Sequence, residues 1–187
     1  MPPKVKIQKE SIIQTALTLV RTQGEEAINA RAIAAALGCS TQPVFSNFAT
    51  MQELQEATLS AAYEIYLDFL KREAESGEYP KYKAFGMAYV RFAKEEKELF
   101  KLLFMCDRGG KPRESTADFE ASIGMIMQAN GLSRQVAELM HLECWACVHG
   151  IATMLATDFL DLDEELVSRM VSDVYQGVRK MHKEENA

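Results

Sequence analysis

Apolar residues recur at intervals of three and four along nearly the whole chain, and no run alternates with the two-residue period of a strand. That pattern restricts the chain to packed helices, because a sheet needs a period-two face to bury. Ile13, Ala16, Leu17 and Val20 mark a first amphipathic helix over about 9–23, with Gly24 as its stop. Asn29 is placed to cap a second, short helix that turns Ile33 and Leu37 inward and ends at Gly38. Ser40 is placed to cap a third, with Pro43 in its first turn, where a missing N–H costs little. Thr50 opens a fourth helix over 50–73, carrying Leu54, Leu59, Tyr63, Tyr66 and Leu70. Beyond SGEYP (76–80), helices are expected around Phe85, Ala88, Tyr89 and Phe92, over 94–105, over 115–129, from a Ser133 cap to about 156, and over 163–182. DRGGKPRE (107–114) reads as loop. The fold class is all-α: a three-helix head over 1–50, the fourth helix as connector, and a bundle of about six helices within 51–187, about nine helices in total.

Composition narrows the function classes. The chain has 187 residues, is 48% hydrophobic, and holds only five Pro and ten Gly, so a cored protein is expected instead of a disordered one. MPPKVKIQKES lacks the apolar centre of a secretory signal, and no stretch of about 18 uncharged apolar residues occurs. A cytoplasmic protein with no membrane partner is expected. Cys39, Cys106, Cys144 and Cys147 are irregularly spaced, which fits free thiols in a reducing compartment. A net charge of -6 argues against a protein that coats nucleic acid wholesale. Lys4, Lys6 and Lys9 nevertheless precede the first acidic residue, Glu10, and form either a basic arm for a phosphate backbone or a solubility feature.

The informative segment is INARAIAAALGCSTQPVFSNF (28–48), two short helices joined through Gly38. That is the helix-turn-helix pattern, whose logic is steric: the major groove, about 12 Å wide, admits one helix, and the preceding helix braces it. Val44 and Phe48, four apart, face inward. Thr41, Gln42, Phe45, Ser46 and Asn47 are left outward, where amides and hydroxyls can meet base edges or phosphates. The alternative is a helical hairpin with a solvated polar face.

The same segment resembles the TetR, or tetracycline-repressor-like, family. SIIQTALTLVRTQG (11–24), RAIAAALGCS (31–40), PVFSNF (43–48) and TMQEL (50–54) follow that family's N-terminal signature collinearly over about 50 residues. The resemblance implies a DNA-binding transcriptional regulator, a repressor relieved by a small-molecule effector. The chain departs from the family at three positions. Phe45 stands where a phosphate-holding tyrosine is usual, Asn47 where histidine is usual, and Met51 where a phosphate-binding lysine is usual. The first 60 residues hold five basic and five acidic side chains, so no bulk charge replaces those contacts. The basic arm, Arg31 and the fourth-helix N-terminus with Thr50 are expected to compensate. The DNA-binding set is thus Lys4, Lys6, Lys9, Arg31, Ser40, Thr41, Gln42, Pro43, Phe45, Ser46, Asn47 and Thr50, and the partner is a double-stranded DNA operator. The competing function is a helical ligand-binding or protein-interaction module that has lost DNA binding.

The family resemblance further implies an effector pocket in the body and a homodimer formed by the last two long helices, about 133–156 and 163–182. CWACVHGIATML (144–155) is similar to the tryptophan–histidine–glycine pattern of one subgroup, and KELFKLLFM (97–105) to the helix before that subgroup's pocket loop. Trp145 and His149 share one helical face and could orient a polar ligand group. They equally suit a core Trp and a His bonded to a neighbouring helix, with Gly150 allowing close approach. Phe104, Met105 and Met125 join them as effector candidates, methionine being adaptable, though core filling explains any one of them. His141, Cys144, Cys147 and His149 are metal-ligand types, but at about 100° per residue they wrap too far around one helix to converge on an ion. No metal and no cofactor are expected. No phosphate-binding glycine loop or nucleophile–base series occurs, so an enzyme is not expected.

Overall fold

The computed structural model describes residues 7–106 and 117–185; Lys4, Lys6 and the loop-like 107–114 stretch lie outside them. The described residues form nine α-helices and no strand, apart from a turn of 3-10 helix at Glu25–Ala27. The helices are α1 (Lys9–Gln23), α2 (Ala30–Ala36), α3 (Gln42–Asn47), α4 (Met51–Ser76), α5 (Lys81–Glu95), α6 (Lys97–Phe104), α7 (Ala117–Asn130), α8 (Arg134–Ala156) and α9 (Glu164–Glu185). They belong to two compact units: residues up to Leu67 with Glu96–Cys106, and Asp68–Glu95 with the rest of the chain from Asp107. Of the head expected over 1–50, the described residues 7–50 fall in the first unit.

In the first unit, α1 packs on α2, α3 and α6. Ile12, Ala16, Leu17 and Val20 are its buried stripe; Ile13 is half-buried, so the inward face is rotated from the one read in the sequence. Gly24, at φ +80°, ends α1 with its N–H on the Val20 carbonyl at 2.8 Å. Leu99, Phe100 and Leu102 bury α6, and the Phe104 ring meets Tyr66 edge-on at 5.2 Å. The sequence runs as one amphipathic helix over 94–105, yet the chain breaks it at Glu96, whose carboxylate takes both arms of the Arg21 guanidinium at 2.8 and 2.9 Å.

In the second unit, α8 is the central helix, packed against α5, α7 and α9. Ser133 caps it, its hydroxyl accepting from the Val136 N–H. By length and composition α8 could cross a membrane, but its apolar stripe of Ala137, Met140, Cys144, Val148, Ile151 and Leu155 is buried in this unit's core. Two Tyr–His hydrogen bonds, Tyr82 to His141 and Tyr89 to His149, each 2.9 Å, join α5 and α8 in parallel. Arg91 of α5 bridges Glu73 at the end of α4 and Glu164 at the start of α9. His182 and Glu143 tie α9 back to α8 at 2.8 Å.

Candidate functional site

The expected reading helix, α3, is built by local signals that agree. Asn29 accepts the Ala32 N–H at 2.9 Å and starts α2, which buries Ile33 and Ala34. Gly38, at φ +64°, makes the turn a side chain would oppose, and the Cys39 N–H closes it on the Ala34 carbonyl at 2.9 Å. The expected Ser40 cap is not formed: α3 starts one residue later, after Thr41, with no side-chain cap and with Pro43 in its first turn. Such a short helix is held by its anchors, since six residues do not sustain a helix alone. Val44 and Phe48, each 1% exposed, supply them.

The anchors turn the rest of α3 outward. Gln42 and Ser46 are exposed, Thr41, Pro43 and Asn47 are half-buried, and Phe45 is 52% exposed. Ser40, Arg31 and Thr50 are also exposed. The outward face of α3 is therefore uncharged. Several candidates have internal work as well. Asn47 donates its amide to the carbonyls of Pro43 at 2.8 Å and Ile7 at 3.3 Å, so it fastens the N-terminal segment to α3. Lys9 pairs with Glu53 at 3.1 Å and lies 4.7 Å over the Phe48 ring.

Glu53 is the residue the sequence reading missed. Its carboxylate accepts the Ala49 N–H at 2.8 Å as well as Lys9, while the Thr50 hydroxyl accepts the Glu53 N–H at 3.1 Å. The Ala49 N–H first, and Lys9 second, hold its carboxyl below the usual carboxylate range. The signal was present as the Thr-x-x-Glu spacing of a capping box. Together these contacts join the chain entering α1 to the start of α4 on either side of α3.

The effector candidates fall in both units. Phe104 packs on Tyr66 and Phe100 in the first, where Met105 is 42% exposed. In the second, Trp145 and His149 stack with centroids 4.8 Å apart and planes 17° from parallel. Buried Tyr89, which sequence reasoning did not single out, bonds His149 Nδ1 from α5. Met125 lines a groove formed by α5, α7 and α9. Gly150 makes no close approach: a Cβ there would meet nothing within 4 Å. His141 and His149 bond different tyrosines, and no cluster of metal-ligating side chains occurs among the described residues. Burial pushes the Cys144 thiol up to about 11.

Residues 82–174 match the sequence profile of the tetracyclin repressor-like C-terminal domain. An uncharacterized HTH-type transcriptional regulator of Mycobacterium tuberculosis is 22% identical over 160 residues, covering 83% of this chain and 73% of that protein. A solved structure of a protein of unknown function from Rhodococcus sp. RHA1 covers 96% of both chains at 20% identity with a TM-score of 0.68, which shows a shared fold. The matched C-terminal profile and the related HTH-type regulator together establish that this chain belongs to the TetR family of transcription regulators.

Proposed function

We propose that the protein is a repressor that binds an operator through α3 as a homodimer and releases it when a small molecule occupies the body. The carrying observation is the outward face of α3: Gln42, Phe45 and Ser46 stand clear of the core on a helix fixed by Val44 and Phe48. An uncharged face suits base-edge and methyl contacts more than phosphate contacts. Arg31, Ser40, Thr41, Pro43, Asn47 and Thr50 flank it, and the Lys4–Lys9 arm would follow the backbone. In this reading residues 1–50 are the DNA-binding head, α4 connects, and 51–187 bind effector and partner. The protein would act in the bacterial cytoplasm.

The pairing surface is proposed on α8 and α9. Leu139 and Leu142 are each 49% exposed, with Ala146 and Gly150 on the same face of α8; Leu166 and Met181 are 42% and 43% exposed on α9. Such a stripe is apolar surface that a second copy would cover. The stacked Trp145–His149 pair with Tyr89 is the proposed effector contact in the second unit; Phe104 and Met105 in the first unit, and Met125 in the α5–α7–α9 groove, remain separate candidates.

An electrophoretic mobility shift on the DNA flanking the protein's own gene tests the reading. The wild type should retard that fragment, and a Gln42→Ala, Ser46→Ala double variant should lose sequence preference while keeping its melting temperature. Equal retardation of that fragment and random DNA by the wild type would overturn it.

A further inference from the structure

A groove in the second unit lies away from the Trp145–His149 stack. The first turn of α5, one face of α7 and one face of α9 enclose a groove of about 480 Å³, within the range that holds small organic ligands. Its apolar lining includes the Tyr82 and Tyr175 rings, 5.6 Å apart and tilted by 45°, with Met125 and Val171 beside them. Both tyrosine hydroxyls are already committed. Tyr82 bonds His141 Nδ1 at 2.9 Å, and Tyr175 accepts the Asn130 amide at 3.1 Å, whose oxygen in turn holds the Arg179 Nε–H at 2.8 Å. That network fixes the two rings and leaves their carbon surface to the groove.

The charged lining is one-sided. Lys81 and Lys83 border the groove, and among the described residues no carboxylate lines it, although acidic residues outnumber basic ones 27 to 21 in the chain. Lys83 is steadied by the Ser168 hydroxyl at 2.7 Å and the Tyr79 ring at 4.5 Å, neither of which neutralises it. Gln128 and Gln176 add amide donors. We infer that this groove binds a flat aromatic carboxylate, its ring against Tyr82, Tyr175 and Met125 and its anionic end toward Lys81 and Lys83. Ring–ring and sulfur–ring contacts supply the apolar part, and the two ammonium groups select the charge. Tyr89, which bonds His149, lies seven residues further along α5, about 10 Å away. The groove is therefore a site additional to the proposed effector contact.

Calorimetric titration of the full chain with 1-naphthoate, in the absence of DNA, tests this. Naphthoate should bind the wild type, bind a Lys81→Met, Lys83→Met variant about tenfold more weakly, as two partly solvated charge contacts imply, and fail to bind Ala129→Trp. Ala129 is an exposed lining residue of α7, so the added indole fills the groove without disturbing the core; Gln128→Trp serves the same purpose if that variant misfolds. The neutral amide should bind more weakly than the acid, and 1-naphthylmethylammonium should not bind. Absence of heat at millimolar naphthoate, undiminished binding by the groove-filling variant, or equal affinity for the cation would overturn the inference. None of these outcomes bears on whether α3 binds DNA.

Discussion

Phe45 is half-exposed on a helix whose adjacent residue, Val44, is 1% exposed, and the contrast separates stability from function. Phe45→Ala should leave the melting temperature nearly unchanged, within the roughly 0.5 kcal/mol typical of surface substitutions, while weakening operator binding. Phe48→Ala should cost about 3–5 kcal/mol in a denaturant titration, because it empties an anchor of the head. Cys144 gives a chemical check of the second unit's core. With its thiol raised to about 11 by burial, it should resist iodoacetamide at pH 8 while half-buried Cys39 reacts, as read by peptide mass spectrometry. Rapid labelling of Cys144 would contradict the packing of α8. At this scale the sequence conveyed which residue types face outward on α3, because the spacing of Val44 and Phe48 fixes the inward face. It did not convey that Asn47 and Lys9 also have partners inside the protein, since those depend on Ile7 and Glu53 being brought near by the fold.

The helices were legible where punctuation was strong. Gly24, Asn29, Thr50, Ser133 and Gly131 each stand where a helix begins or ends. The break between α5 and α6 was read too early, before Lys94 instead of at Glu96, because no Gly or Pro marks it; a tertiary ion pair between Arg21 and Glu96 stands at the break instead. The Arg91 bridge is another long-range tie. Glu73 is only 3% exposed, and burial pushes its carboxyl above the usual carboxylate range against the pull of Arg91. A folded value above the unfolded one means that the folded state holds the proton more tightly, so this group's effect on stability is most favourable at low pH. It worsens as pH rises from the ordinary carboxylate value through the raised one. Removing Arg91 raises it further. Arg91→Ala should therefore destabilise by about 2 kcal/mol or more at pH 7, and by clearly less at pH 4, in thermal melts. An equal loss at both pH values would contradict a buried, bridged Glu73.

For the whole molecule, family membership fixes a class of activity, and the exposed stripes on α8 and α9 are the surface proposed for pairing. Leu142→Arg adds a charge to a half-exposed position without entering the core, so it should yield a folded single subunit in size-exclusion chromatography. Dimerisation was suggested in the sequence only through the family resemblance, because exposure of Leu139 and Leu142 cannot be told from burial by helical spacing alone. The proposed effector contact was less legible still, since Trp145 and His149 find their third member, Tyr89, on a different helix. The most direct measurement is sedimentation velocity of the protein with fluorescent duplex from its own upstream region, at rising salt. Two copies per duplex are predicted, with affinity falling as salt rises and recovered by neither Phe45→Ala nor Leu142→Arg. A protein that sediments as one copy and leaves the duplex free at the lowest ionic strength would contradict the account.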